Sequence, residues 1–252
     1  MLSILKIRKN QGRQYIPEIE SAKVRSPFRG LPAVDDGRCD NCGNCAAVCP
    51  TGAISPRPLA IDLGKCVFCG DCERECPDGA IGFSAFHNIA ADSRDRLIVS
   101  TTTTPETYRA GAVAARKEIS RMFGSSFKLR QVSAGGCNGC EWELNACGNV
   151  NFDMGRFGVE FVASPRHADG ILITGPLTEN MAAALEDSYR STPEPRLVIL
   201  AGSCAISGGV FQGSPALNRS FLEKIKVDLY IPGCPVHPLT VIQGILDLLG
   251  KR

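Results

Sequence analysis

The strongest constraint on this chain is a run of cysteines that occurs twice. Cys39, Cys42, Cys45 and Cys49 follow the spacing Cys-x2-Cys-x2-Cys-x3-Cys and are closed by Pro50. Cys66, Cys69, Cys72 and Cys76 repeat that spacing and are closed by Pro77. The repeat has a period of 27 residues and continues through Gly52-Ala53-Ile54 and Gly79-Ala80-Ile81. Three sulfurs on one short loop can reach three corners of a polynuclear metal cluster, and the fourth corner then needs a ligand from elsewhere. Each proline fixes φ and turns the chain out of the loop. Gly43 and Gly70 let the backbone wrap close to sulfur.

The chain has 252 residues and 13 cysteines. An odd number argues against a closed set of disulfides. The N-terminus meets Lys6, Arg8 and Lys9 before any apolar core develops, which predicts no secretory leader. Metal is therefore the expected use of the cysteines. The doubled, proline-closed run is the signature of bacterial two-cluster ferredoxins, in which the fourth cysteine of each run ligates the other cluster. It predicts an α+β ferredoxin-like domain over residues 31–85. One [4Fe-4S] cluster is expected on Cys39, Cys42, Cys45 and Cys76, and a second on Cys66, Cys69, Cys72 and Cys49. The alternative is structural zinc, which uses paired Cys-x2-Cys but not this crossed, proline-ended pattern.

Charge excludes other classes. The formal net charge is +2 and no dense Lys/Arg stripe is present, so nucleic acid is not an expected partner. The longest apolar stretches are far shorter than the roughly 20 residues of a membrane-spanning helix. Residues 1–38 carry eight Lys/Arg and four Asp/Glu with several Pro and Gly. They predict an extended basic arm over residues 1–30, either a solvated tail or a strap that wraps a partner. Residues 86–126 form a connector. Within it Glu106–Phe123 reads as one amphipathic helix, N-capped at Thr104 with Pro105 at its first position. Its apolar stripe is Tyr108, Ala112, Ala115, Ile119, Met122 and Phe123.

Residues 127–252 change to an α/β pattern. Short apolar strands are expected at Lys128–Ser133, Gly170–Thr174, Leu197–Ala201 and Val227–Ile231. Helices are expected at Trp142–Cys147, Thr178–Tyr189, Ala216–Lys224 and Pro238–Leu249. This alternation predicts a parallel sheet covered by helices. Cys137, Cys140, Cys204 and Cys234 each follow the C-terminal end of an expected strand, the edge where open α/β sheets bind ligands. Four thiolates meeting there suit a third four-iron cluster, with zinc again the alternative.

The segments Gly136-Cys137-Asn138-Gly139-Cys140-Glu141, Ser164-Pro165-Arg166-His167-Ala168-Asp169, Gly202-Ser203-Cys204 and Pro232-Gly233-Cys234-Pro235 carry a family resemblance. Residues 127–250 resemble the small subunit of membrane-bound, energy-converting [NiFe] hydrogenases of the formate hydrogenlyase type, a family that includes the B subunit of respiratory complex I. The resemblance implies a flavodoxin-like fold and a cluster that is the one nearest the active site of a large subunit. The Cys137/Cys140 spacing is that of the hydrogenase branch. Complex I relatives carry adjacent cysteines there and keep the ferredoxin subunit separate, while a sulfur-reducing relative could share the spacing. The resemblance also implies a proton route or a subunit interface at Glu141. At Arg166 and His167 it implies an interface or the lining of a quinone-type cavity. For each of these residues a purely structural role is the alternative.

Cys147, His87 and His237 have no ligand-spaced company and are expected to be structural. Ser207-Gly208-Gly209 and Gly213-Ser214-Pro215 lack the spacing of a phosphate loop. The expectation is an iron–sulfur subunit of a membrane-associated oxidoreductase, peripheral on the cytoplasmic face, with its active site in a partner. Its expected partners are a hydrogenase-type or complex I-type large subunit, other hydrophilic-arm and membrane-arm subunits, and an external electron donor or acceptor. Its rivals are a complex I-like quinone or sulfur oxidoreductase subunit and a soluble ferredoxin-like carrier.

Overall fold

A computed structural model of the chain describes residues 2–114 and 116–251. The first element is not extended. Leu2–Gln11 forms a helix, α1, with Ile4, Leu5 and Ile7 all exposed. Residues 12–30 then run across the body of the same chain. The Ile16 amide donates to the Asn151 carbonyl at 2.8 Å, Ile19 is buried, and the Arg156 guanidinium donates to the Ile16 carbonyl. The strap thus wraps its own chain, because Ile16 and Ile19 carry enough apolar surface to fix it.

The cysteine-rich half is built from short pieces. Strand β1 (Pro32–Val34) pairs antiparallel with β4 (Ile81–Phe83). Strands β2 (Ile54–Pro56), β3 (Leu59–Asp62) and β5 (Ile98–Ser100) form a second antiparallel sheet. One-turn helices α2 (Asn44–Val48) and α3 (Asp71–Arg74) carry Cys45 and Cys72. The third strand of that sheet comes from the expected connector. Leu97 and Val99 are buried there, and Arg94 makes a bidentate ion pair with Asp62, at 2.7 and 2.5 Å.

The expected connector helix is two helices, α4 (Pro105–Ala112) and α5 (Lys117–Phe123). Thr104 caps α4 in a capping box with Thr107. Between the helices Val113 and Arg116 are extended, the Ala114 amide donates to Asp92 at 2.9 Å, and Arg116 pairs with Asp228 at 2.9 Å. Those fixed partners outcompete continuation through a sequence already weakened by Gly111. Tyr108, Ile119 and Phe123 are buried, whereas Met122 is exposed. Ala115 and the side chain of Ala112 lie outside the described residues.

The C-terminal half is a five-stranded, all-parallel sheet. Its strands are β6 (Phe127–Ser133), β7 (Val159–Phe161), β8 (Gly170–Thr174), β9 (Leu197–Ala201) and β10 (Leu229–Ile231). Their spatial order is β7-β6-β8-β9-β10, the 2-1-3-4-5 order of flavodoxin-like folds. Every residue of β8 and β9 is buried, as expected for strands covered on both faces. Helices α6 (Gly139–Ala146), α7 (Glu179–Ser191), α8 (Ser203–Ser207), α9 (Ser220–Lys224) and α10 (Pro238–Leu249) connect or flank the strands. Helix α10 is apolar almost all round and almost wholly buried. The expected helix at Ala216–Lys224 is cut to Ser220–Lys224. Ahead of it the Ala216 carbonyl accepts from the Glu179 amide and the Asn218 amide donates to the Leu177 carbonyl.

One apolar cluster runs without interruption from Leu31, Leu59 and Ile61 of the cysteine-rich half to Ile171, Ile173 and Val198 of the parallel sheet. Ala91 adds an antiparallel bridge to Tyr230 on the outer edge of β10. Among the described residues no helix is long and apolar enough to cross a membrane. Leu172 faces the second cluster of the core and is fully buried. Leu172→Ala should lower unfolding stability by about 2–5 kcal/mol, measured by denaturant unfolding of the full chain. Ile98→Ala, at a half-exposed site, should change it by about 0.5 kcal/mol or less.

Candidate metal centres

Each cysteine run of the N-terminal half bends at a left-handed glycine. Gly43 and Gly70 both have φ of 79°, and each starts the helix that carries the third cysteine of its run. Cys39, Cys42, Cys45 and Cys76 line one cavity. Cys49, Cys66, Cys69 and Cys72 line another. Each cavity therefore takes three sulfurs from one run and one from the other.

Backbone amides aim at the sulfurs in the same repeat. Ala53 N–H donates to Cys49 Sγ at 3.3 Å and Ala80 N–H donates to Cys76 Sγ at 3.2 Å. Phe68 N–H donates to Cys66 Sγ at 3.3 Å. Burial, then the neighbouring thiols, push Cys66 up to about 12 and Cys72 up to about 11. Among the described residues no three His, Cys, Asp or Glu side chains close on one point as a single ion would require. Sulfurs surrounding a cavity, with amide donors directed at them, fit a sulfide-bridged cluster better than one zinc ion.

The other four cysteines gather at the C-terminal edge of the parallel sheet. Cys137 and Cys140 follow β6, Cys204 follows β9 and Cys234 follows β10. Burial pushes Cys140 up to about 12, with Cys234 and Cys204 adding to it. Burial pushes Cys204 up to about 11, with Cys234 and Cys137 adding and the Arg219 charge opposing. The backbone is pressed against these sulfurs. Gly202 has φ of 95°, and a Cβ there would lie 2.7 Å from Cys140 Sγ.

Glu141 is held by two hydroxyls at the ends of adjacent strands. Its Oε1 accepts from Ser133 Oγ at 2.6 Å and Thr174 Oγ1 at 2.5 Å. It therefore ties the loop of Cys137 and Cys140 to the sheet. Arg166 and His167 are elsewhere. They sit exposed in a short 3-10 turn that enters β8, at the sheet edge opposite the cysteines. Cys147 is buried in the core beside the Glu143 carbonyl, apart from the quartet. His87 Nε2 pairs with the Ile19 carbonyl at 3.1 Å, and His237 Nδ1 accepts from the Leu239 amide at the start of α10.

Two residues outside the sequence expectations shape the third site. Arg219 donates to the carbonyls of Pro176, Cys204, Ala205 and Ile206 and so clamps the Cys204 turn. The buried Ser203 hydroxyl lies 2.5 Å from the Cys66 carbonyl and 3.2 Å from the Gly233 carbonyl. It joins a loop of the second cavity to a loop of the third site. Burial raises the Cys234 thiol above its ordinary value, with Cys137 and then Cys69 of the second site adding to it.

Residues 38–80 match the 4Fe-4S dicluster domain, and residues 137–248 match NADH ubiquinone oxidoreductase, 20 Kd subunit. A probable membrane-bound hydrogenase subunit, mbhJ, of Pyrococcus furiosus is 39% identical over 134 residues, covering 53% of this chain and 80% of the relative. The chain belongs to the NADH ubiquinone oxidoreductase 20 Kd subunit family. Within this family, formate hydrogenlyase subunit 7 of Escherichia coli is 36% identical over 146 residues, covering 58% of this chain and 57% of the relative. The B subunit of the NADH-quinone oxidoreductase of Heliobacterium modesticaldum is 46% identical over 113 residues, covering 44% of this chain and 65% of the relative.

Cys49→Ser should perturb the spectroscopic signal of the site lined by Cys66, Cys69 and Cys72 and spare that of Cys39, Cys42 and Cys45. Damage confined to the latter would refute the crossed grouping. Iron incorporation into stripped protein supplied with both iron and sulfide should rise with pH through the neutral range and release protons, because burial pushes Cys66, Cys72, Cys140 and Cys204 up to about 11 to 12. Uptake that is flat with pH would show that these thiols are already ionised.

Proposed function

We propose that this chain is the iron–sulfur electron-transfer subunit of a membrane-associated oxidoreductase complex and that its twelve grouped cysteines hold three [4Fe-4S] clusters. The supporting observation is the grouping of eight cysteines around two cavities, each with three sulfurs from one run and one from the other, and the junction at Ser203, where loops of the second and third sites share a buried hydroxyl. A four-iron cluster, when bound, supplies a one-electron station whose potential depends on charge, hydrogen bonds to sulfur and exposure.

The residues of this chain do the rest. Amides of Ala53, Phe68 and Ala80 stabilise charge on sulfur. The continuous core holds the two halves at a fixed separation. Glu141 and Arg219 hold the loops that present Cys140 and Cys204. Nothing in this set resembles a nucleophile with its base, so the substrate chemistry is assigned to a partner subunit. Exposed Trp142, Val210 and Phe211 lie on the elements that carry or follow Cys140 and Cys204. Large apolar side chains left in water there favour a docked partner at the third site over a free carrier. The hydrogenase reading of that partner is supported by the names of the P. furiosus and E. coli relatives and by the Cys137/Cys140 spacing, which a sulfur-reducing relative could share. Peripheral attachment through partner subunits fits the lack of a spanning helix among the described residues.

Anaerobically purified protein should contain about twelve irons and about twelve acid-labile sulfides. Stoichiometric zinc without sulfide would overturn the proposal. In the assembled complex, Cys234→Ala should abolish turnover while the ferredoxin-type signals persist. Near-normal turnover would mean that the third site is not the terminal one.

A further inference from the structure

The two cysteine runs are copies of one motif, so each is a control for the other. The turn glycines Gly43 and Gly70 have the same φ. A Cβ built at Gly43 would meet nothing within 4 Å. One built at Gly70 would lie 2.5 Å from Nε and 2.8 Å from Cζ of Arg29. The guanidinium of Arg29 therefore rests directly on the backbone of the second loop. An exposed Arg–Asp pair flanks each loop, Arg38 with Asp35 at the first and Arg74 with Asp71 at the second, so Arg29 is the cation without a counterpart in the repeat. The Asp40 carboxylate accepts from the Cys42 amide at 2.9 Å.

Arg29 is held where it is by its neighbours in the strap. The Phe28 ring packs edge-on against His237, with centroids 4.9 Å apart. The Gly30 and Leu31 amides donate to the carbonyls of Ser84 and Phe86 at 2.7 and 3.0 Å. A Cβ at Gly30 would overlap the Phe86 carbonyl, so the strap can lie this close only with glycine there. Arg29 also lines a cavity with Phe68 and Cys234, which places its charge between the second and third sites. Its one ion-pair partner among the described residues is Glu73, at a loose 3.9 Å.

We infer that Arg29 raises the electron affinity of the site lined by Cys49, Cys66, Cys69 and Cys72 above that of its repeat. An electron entering the ferredoxin-like half then settles on the side that faces Cys234. The inference rests on the reading of these quartets as four-iron sites. One electron added at a site adds one negative charge, and a guanidinium is cationic at every accessible pH. A fixed cation on the loop stabilises the reduced form. The Glu73 carboxylate opposes it.

The test is redox titration of the anaerobic, cluster-loaded full chain, followed by electron paramagnetic resonance. The signal altered by Cys49→Ser identifies the second site. Arg29→Gln should move that signal to more negative potential and leave the other ferredoxin-type signal in place, while Arg29→Lys should retain most of the native value. Glu73→Gln should move the same signal to more positive potential. Opposite shifts from the two charge-neutralising variants are not expected of a merely structural contact. Unmoved potentials, or equal shifts at both ferredoxin-type sites, would overturn the inference. If Arg29→Gln loses iron, Arg29→Met, which keeps an unbranched stem over Gly70 without the charge, decides by the same shift. Wild-type protein without iron and sulfide would instead refute the cluster reading itself.

Discussion

Burying cysteine sulfur is the constraint on which the rest of this structure depends. A thiol withdrawn from water resists ionisation, and several thiols facing one another resist it more. Cys66, Cys72, Cys140 and Cys204 are all in this condition. Such groups are held together only where other contacts supply the stability. The strands β8 and β9 do so for the third site, and the paired short sheets do so for the first two. The sulfurs then sit at the ends of rigid elements, on loops too short to move them apart.

The same constraint explains the glycines that matter most. At Gly202 a side chain would occupy the space of Cys140 sulfur, and at Gly70 it would displace Arg29. At Gly202 the missing Cβ lets backbone come close to a thiol, and at Gly70 it lets a guanidinium rest on the cysteine loop. Bare amides near sulfur then compensate negative charge without adding a titratable group. That compensation differs among the sites.

Much of the C-terminal architecture was legible in the sequence. The runs at Gly170–Thr174, Leu197–Ala201 and Pro238–Leu249 are continuous, apolar and bounded by turn residues, and they form the elements expected of them. Cys137, Cys140, Cys204 and Cys234 could be placed at one sheet edge because each follows such a strand. The three-residue edge strand Val159–Phe161 was not legible, since its order comes from pairing with β6 rather than from its own pattern. The break between α4 and α5 depends on Asp92 and Asp228, which are distant in sequence. The strap reads as an extended arm, either solvated or wrapped around a partner, because its basic residues dominate its composition. Its fixed course depends on a few contacts, at Ile16, Ile19 and Phe28, that composition does not weigh.

Those strap contacts bear on why two cysteine-bearing halves share a chain. Two separate proteins exchanging electrons must meet, orient and part, and the encounter limits how long their centres stay close. Here Ser203 reaches the Cys66 carbonyl from one half to the other, the apolar core passes between them, and Ala91 completes the edge of β10. The separation of the second and third sites is then a property of packing, as reproducible as any interior distance. A fixed separation makes transfer between them depend on relative potential. It is at this junction that the strap brings Arg29 in from outside both cysteine-bearing units. The residues that hold the sulfurs and the residue that biases the electron thus lie in different segments of the sequence, and the fold brings them to one place.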